Sequence, residues 1–469
     1  MNPRLFLALW YVLMAPLFGA AGGKPNVLLI VSDDQGWPDL GVMKIKDIQT
    51  PNLDRIANEG VRGTQFYVTW PACTPSRSSV LTGRYPQRNG LYDMVRNDLV
   101  NYGHVFGAEE YAVSPEMTLG LDPREKTLGD LLKGAGYRTG MVGKWDMGQA
   151  KRYLPLQRGF DFFYGHGNNG IDYYTHERYR VPSMFSGNAR TEADKGTYAT
   201  DLFKREALRF IEAAPAGKPW FLYLCFNAPH SASAFDDEPV AKNGKKSAVG
   251  VQVSAKYAKP YRDKGVAEKL ANYYGAVTCM DEAIGDVLKQ IDARGETKDT
   301  LVIFISDNGG SGNGGNAPLK GSKSTMWEGG LSVPFLARWP AKLPAGKVTD
   351  EFLTSLEFFP TIAAATQAKL PKDVKLDGFD MTAVLRGEKK SLRTEMFWER
   401  RKDHAVRMGN WKWVQTGGVS GLYDMVADRG EKNDLSKEKP EIAAKLKARF
   451  ATWKAEMEAA EPRGPFRDY

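Results

Sequence analysis

The chain has 469 residues, 42% apolar and 26% charged, an ordinary globular usage that excludes a peptide, a disulfide-stapled miniprotein and a mainly disordered chain. Lys and Arg number 64 against 56 Asp and Glu, a net charge of +8 scattered without a basic run. That balance suits an anionic small molecule or polysaccharide better than nucleic acid, and a plainly solvated surface explains it equally well.

The chain opens on Arg4, an apolar run over 5–18 interrupted by Pro16, and small residues over 19–23. This is the layout of a signal peptide, assigned to 1–22. The run is too short for a spanning helix and no later segment is apolar enough to cross a bilayer, so the expectation is an exported protein, periplasmic or extracellular. Three apolar runs then read as buried strands, each ending in polar residues. They are 26–31 before Ser32-Asp33-Asp34, 220–226 before Asn227-Ala228-Pro229-His230, and 301–305 before Ser306-Asp307-Asn308. Between them, 266–293 predicts a long amphipathic helix, with Val266, Leu270, Tyr273, Val277, Met280, Ile284, Val287 and Ile291 on one stripe and Gly295 as its stop. Continuous apolar strands alternating with helices predict an α/β fold with a mainly parallel sheet, whose ligands bind beyond the carboxyl ends of the strands. Irregular Gly- and Tyr-rich residues over 160–190 and a basic stretch over 239–264 interrupt this domain, as binding-face insertions or as loose surface loops. Past Pro340 the pattern changes: 350–365 reads as helical, 397–414 as short paired strands carrying Trp398, Trp411 and Trp413, and 440–460 as a terminal helix. The division expected is a catalytic α/β domain over 24–345 and a smaller C-terminal α+β unit over 346–469.

Asp33 and Asp34 after one strand, with Asp307 and Asn308 after another, make a hard-cation site for calcium or magnesium. Asp and Asn also cap turns and helices, but two such pairs at equivalent strand ends would repel without a counter-ion. Three cysteines build no disulfide framework. Cys225, in a strand, and Cys279, on a helix's apolar face, read as core residues. Cys73 differs. In Pro71-Ala72-Cys73-Thr74-Pro75-Ser76-Arg77 it precedes a helix whose first-turn amides favour negative charge at residue 73. A thiolate nucleophile is one reading, although no thiol-protease signature surrounds it.

Cys73-Thr74-Pro75-Ser76-Arg77 followed by Leu81-Thr82-Gly83-Arg84 strongly resembles the signature of type I sulfatases, in the alkaline-phosphatase-like superfamily. The strand into Asp33-Asp34, Gly136-Tyr137-Arg138-Thr139 to Gly143-Lys144-Trp145, Ala228-Pro229-His230, Ser306-Asp307-Asn308-Gly309, and Lys323 to Glu328-Gly329-Gly330 follow in the family's order. The resemblance implies a large mixed, mainly parallel sheet flanked by helices, and oxidation of Cys73 to formylglycine by a formylglycine-generating maturase. One hydroxyl of the aldehyde's hydrate attacks sulfur and the other expels sulfate, where a serine would remain trapped as its ester. It implies one divalent cation, calcium before magnesium, on Asp33, Asp34, Asp307, Asn308 and residue 73. Arg77 would orient the hydrate and the metal ligands, Lys144 and Lys323 would neutralise sulfate oxygens, and His230 would protonate the leaving alcohol. One departure stands out: the family's Gly-Lys-Trp-His is here Gly143-Lys144-Trp145-Asp146. Asp146 could take the hydrate's proton as a carboxylate, contact metal or substrate, or slow the site. A second is Ser231-Ala232-Ser233 after His230, where the family has a nearby proline.

Export, and aromatic or polar residues able to stack on a sugar, point to a sulfated carbohydrate. The candidates are Tyr173, Tyr174, His176, Tyr179, Trp398, His404, Arg407 and Trp411, with His166 and His404 as specificity residues; core packing is the competing reading for each aromatic. Two alternatives stand beside this: a phosphomonoester or phosphodiester hydrolase of the same superfamily, and a non-catalytic sulfated-glycan binder with Cys73 unmodified.

Overall fold

A computed structural model describes residues 23–95, 119–234 and 249–460. The expected signal peptide and part of the basic stretch lie outside these residues. No helix among the described residues is long and apolar enough to cross a membrane.

The main sheet is ten-stranded. In chain order its strands are β1 (Asn26–Ser32), β2 (Val61–Gly63), β3 (Arg138–Lys144), β4 (Phe162–His166), β5 (Met184–Ser186), β6 (Ala189–Arg190), β7 (Trp220–Cys225), β8 (Thr300–Ser306), β9 (Phe335–Arg338) and β10 (Lys347–Thr349). They lie in the order β10-β2-β9-β8-β1-β7-β3-β4-β5-β6. The five central strands from β8 to β4 are parallel. Antiparallel pairings, β8 with β9 on one side and β4 with β5 on the other, join the outer strands. The mainly parallel sheet expected from the apolar runs is therefore present, with the antiparallel outer strands that make it mixed, as the resemblance implies.

Every residue of β1, β7 and β8 is buried, because helices cover both faces. Leu28, Ile30, Leu222, Leu224, Val302 and Phe304 face α4 (Ala199–Glu212) and α5 (Glu268–Ala293). Val27, Leu29, Val31, Phe221, Tyr223 and Ile303 share the opposite core with α2 (Cys73–Thr82), α3 (Leu128–Gly134) and α6 (Phe358–Thr366). A further helix of this part, α1 (Pro51–Asn58), has its first-turn amides capped from α5: Asp281 accepts from the N–H groups of Asn52 at 3.1 Å and Leu53 at 2.7 Å. The register brings Ser32 level with Ser306, and Lys144 level with His166, so the carboxyl ends of the parallel strands form one rim.

The C-terminal part is a four-stranded antiparallel meander, β11 (Glu395–Arg400), β12 (Asp403–Met408), β13 (Trp411–Thr416) and β14 (Val419–Asp424), covered by α7 (Pro440–Glu458). Trp398, Trp413, Phe450 and Trp453 fill its core. Two differences from the sequence reading have local causes. The 350–365 stretch is not one helix: Leu353–Thr354 is extended, and α6 follows a single 3₁₀ turn. Glu357 accepts from the Thr354 N–H at 2.6 Å and hydroxyl at 2.7 Å, a capping box that starts the helix late. In addition, β10 pairs with β2, so the main sheet continues past residue 345.

Candidate active site

The rim carries the charged residues. β1 runs directly into Asp33 and Asp34, and β8 into Asp307 and Asn308. The Asp33 N–H donates to the Ala228 carbonyl at 3.0 Å and that of Asp307 to Ser32 at 3.1 Å, extending the ladder into the site. Asp34 takes a left-handed φ of 64°, which turns its side chain off the strand path; Asp tolerates this conformation. Lys144 ends β3 and owes its place to Gly143. Gly143 has φ +99°, and a Cβ there would stand 1.8 Å from the Cys225 carbonyl oxygen.

Cys73 is the first residue of α2, a helix buried along all ten residues. Ala72 precedes it in extended conformation and supplies no side-chain cap. The Arg77 guanidinium lies one turn on. It donates from Nε to Asp307 Oδ2 at 3.0 Å and from Nη1 to the Lys144 carbonyl at 3.2 Å, and sits 3.8 Å from Asp33 Oδ1. The Lys144 ammonium donates to Asp33 Oδ2 at 2.7 Å, both side chains fully buried. Lys323 pairs with Asp34 Oδ1 at 2.7 Å and Asn308 Nδ2 donates to the same oxygen at 2.8 Å. Asp146, at φ 57°, is buried against the Thr74 and Cys73 side chains, with Oδ2 3.9 Å from Lys144 Nζ. His230 Nδ1 lies 2.6 Å from the Ser231 carbonyl, leaving Nε2 3.7 Å from Asp34 Oδ2. Its side chain is 18% exposed and that of Lys323 20%, so these two form the mouth of an otherwise sealed cluster.

Burial pushes the Asp33 carboxyl up against the pull of Lys144, and raises Asp307 to about 6 despite Arg77. Burial also raises Asp34, but Lys323, His230 and Asn308 together carry it below the ordinary carboxylate range. Asp146 is raised by burial against Lys144 and Arg77. Burial, with Lys323 nearby, holds His230 down at about 3. The Cys73 thiol is pushed up to about 12 by burial, so it stays protonated despite Lys144 and Lys323.

These residues suit a hard divalent cation. Asp33 Oδ1 and Asn308 Oδ1 are buried without a hydrogen-bond partner. Ligand atoms of Asp33, Cys73 and Asp307 lie within 4.8 Å of one another, as do those of Asp33, Asp34 and His230. Four carboxylates face three cationic side chains, and unpaired buried oxygens of this kind are what calcium or magnesium takes as ligands.

All ten residues selected from the sequence, Asp33, Asp34, Cys73, Arg77, Lys144, Asp146, His230, Asp307, Asn308 and Lys323, converge here. Several of the expected sugar-stacking residues do not behave as such. Trp398 is core, its indole N–H donating to the Val68 carbonyl at 2.7 Å. Arg407 is buried on the Tyr67 hydroxyl at 2.6 Å. His176 is buried with Nε2 2.8 Å from the Thr197 carbonyl, and His404 stacks on Phe450 of α7 at 4.4 Å. Trp411 is half-buried beside the Lys439 ammonium. His166 is buried at the end of β4, its Nδ1 3.0 Å from the Asn168 carbonyl. Tyr174 remains exposed and Tyr179 half-buried. Tyr173 is buried and props the His230 loop, donating to the carbonyls of Asn227 at 2.9 Å and His230 at 2.8 Å. Sequence reasoning also missed Asn316, which donates to the carbonyls of Gly310 at 2.9 Å and Gly321 at 3.1 Å and so ties the Asp307 loop to the Lys323 loop. Its only signal is an Asn within a Gly-rich run.

A family model described as Sulfatase matches residues 25–368, and one described as N-sulphoglucosamine sulphohydrolase, C-terminal, matches 322–456. Arylsulfatase A of Homo sapiens is 32% identical over 95% of this chain and 90% of its own length. N-acetylgalactosamine-6-sulfatase of Canis lupus familiaris is 31% identical over 86% of this chain and 75% of its own. Among solved structures, Ps i-CgsB in complex with k-i-k-neocarrahexaose superposes with a TM-score of 0.79 at 28% identity, covering 94% of both chains. The chain thus belongs to the sulfatase family of the alkaline-phosphatase-like superfamily, whose members hydrolyse sulfate esters with a metal ion and a formylglycine.

Proposed function

We propose that this sulfatase acts on a sulfated carbohydrate, with Cys73 converted to formylglycine and one divalent cation, calcium before magnesium, held by Asp33, Asp34, Asp307 and Asn308. The observation that carries the reading is residue 73 itself. It is buried at the start of α2, its ligand atom within 4.8 Å of those of Asp33 and Asp307, where an aldehyde hydrate meets a bound cation and where burial pushes a plain thiol up, away from the thiolate. The hydrate supplies the attacking hydroxyl, and a bound divalent cation supplies Lewis-acid polarisation.

The chain's own residues then divide the work. Arg77 fixes Asp307 and spans towards Asp33, keeping the oxygen ligands in place. Lys144 and Lys323, both held in the charged form by the acids beside them, meet the negative charge that grows on the sulfate oxygens. Asp146, in contact with residue 73, accepts the proton of the attacking hydroxyl. His230, at the mouth with Nε2 facing inward, protonates the leaving alcohol. Burial, with the Lys323 charge, depresses its pKa, and an anionic sulfate beside it offsets the Lys323 part.

Support for the substrate class comes from the relatives: one is named for N-acetylgalactosamine-6-sulfate chemistry and another is solved with a neocarrahexaose. The expected leader at 1–22 supports export to a periplasm or the exterior, and the Cys73 motif supports a formylglycine-generating maturase as partner. The test is peptide mass spectrometry across residue 73 on protein co-expressed with such a maturase, followed by ion chromatography of sulfate released from a panel of sulfated glycans. Aldehyde at residue 73 with sulfate release is the expected result. An unmodified thiol despite a competent maturase, with no release from any glycan, overturns the reading.

A further inference from the structure

Lys323 sits on an irregular loop between the Asp307 strand end and a short helix at Glu328–Leu331. What aims it is not its own secondary structure. On the catalytic side the Lys323 N–H donates to Gly310 at 3.0 Å and the Ser324 N–H to Pro71 at 2.7 Å, with Ser324 in the left-handed region at φ 71°. On the other side the anchors come from the C-terminal sheet and the turn beyond it. The Met326 N–H donates to Thr416 Oγ1 at 3.3 Å, Arg400 Nη1 to the Ser324 carbonyl at 3.3 Å, and the Glu328 N–H to Glu431 Oε2 at 2.7 Å. Lys320 completes the grip, lying 3.6 Å over the Trp327 ring and donating to the Glu431 carbonyl at 3.2 Å.

Behind this loop lies a buried charge cluster that the chemistry does not use. Lys412 Nζ on β13 is 2.9 Å from Glu328 Oε1 and 2.9 Å from Glu431 Oε1, with all three side chains 0% exposed. Glu328 Oε2 also accepts from the Tyr67 hydroxyl at 2.8 Å, and Arg429 lies 3.4 Å away. A buried ion group of this kind contributes little to stability over apolar packing, and its best-attested use is to specify one arrangement. Here the arrangement is a register: Lys412 is the common partner of two carboxylates, one at the end of the Lys323 loop and one on the C-terminal part. Without it, two buried acids face each other and the Glu328–Glu431 contact loses its reason to stay closed.

We propose that Lys412 is a positioning residue: by joining Glu328 to Glu431 it sets the 320–328 loop and so the aim of Lys323 at the sulfate. The inference rests on the role assigned to Lys323 above. The test is a double-mutant cycle in the full-length, metal-loaded, Cys73-converted enzyme, reading kcat and KM for sulfate release beside thermal melting. Lys412→Met is expected to lower kcat/KM about tenfold or more in the parent, yet less than about twofold in a Lys323→Ala background. Thr416→Val, which removes the acceptor for the Met326 N–H without touching the buried charges, is expected to lower kcat/KM by a few-fold, again only where Lys323 is present. If Lys412→Met fails to fold, Thr416→Val carries the same cycle. Multiplicative effects of the two substitutions, or a lowered melting temperature with unchanged kcat/KM, overturn the proposal. A Lys323→Ala enzyme as active as the parent is a different failure: it removes the role of Lys323, and the inference with it.

Discussion

Asp146→Asn separates charge from shape at the position where this chain departs from its family's motif. The shape is conserved: Asn matches Asp in size and tolerates the left-handed φ of 57° at this residue. An amide keeps the same packing against Thr74 and residue 73, but it does not take up a proton. The attraction lost is that between Oδ2 and Lys144 Nζ at 3.9 Å, about 4 kcal/mol at an effective dielectric near 20. Against this, the buried carboxylate's desolvation, several kcal/mol, is relieved. Burial outweighs Lys144 here, since the carboxyl is held above its ordinary pKa, so the metal-free fold should lose no stability. Sign and pH agree: a raised folded pKa disfavours the ionised group at neutral pH, and the amide removes that term. Activity moves the other way. Loss of a proton acceptor costs about 10²- to 10⁴-fold in kcat, or about 2.7 to 5.4 kcal/mol of transition-state stabilisation. The assay pairs urea denaturation in chelator with initial rates on protein shown by mass spectrometry to carry equal conversion of residue 73. An unchanged kcat refutes proton transfer to Asp146, and parallel losses of stability and rate reduce it to a structural role.

Three further outcomes follow from the same electrostatics. Metal removal should abolish sulfate release, and calcium should raise the melting temperature of the stripped enzyme more at pH 8 than at pH 5. The reason is that Asp307, raised to about 6, ionises inside the metal-free fold only above that pH and destabilises it there; an equal shift at both values refutes the assignment. His230→Gln should lower kcat about 10²- to 10⁴-fold on a sugar sulfate but less than tenfold on 4-nitrophenyl sulfate, whose leaving group departs unprotonated; equal losses would assign His230 to binding instead. Burial raises Glu431 to about 7, so calcium-loaded enzyme should lose stability as pH rises through that value. The slope is at most about 1.4 kcal/mol per pH unit for one proton, and Glu431→Gln should flatten it in urea titrations at pH 5 and pH 8.

What could be read from the sequence follows from what local patterns encode. β1, β7 and β8 are apolar throughout because both faces are covered, and the polar residues after them lie at one rim because parallel strands share a direction. Asp33, Asp307 and His230 were therefore legible as neighbours before any coordinates. The sugar-facing aromatics were not. Trp398 and Tyr173 carry the same side chains whether they face a ligand or a core, and only the tertiary fold brings Val68 to one and the His230 carbonyl to the other. The Lys412 cluster is illegible for a related reason: Lys412 and Glu328 are 84 residues apart, and neither shows in sequence that its charge is buried. The late start of α6 was in principle readable, since Thr354 and Glu357 spell a capping box inside a stretch whose apolar content reads as helical.

The sealing of α2 has a consequence in time. Cys73 is 1% exposed, and every residue of its helix is buried between the sheet and α6. An enzyme that oxidises residue 73 has to reach its side chain, and in the folded chain that side chain is buried. On the proposed chemistry, conversion of residue 73 therefore precedes closure of the domain, and the two compete on each newly made chain. A chain that folds first is a stable protein with its thiol locked away. On that proposal the active fraction of a preparation is decided during synthesis, and slower folding or more abundant maturase would raise it without any change in the finished structure.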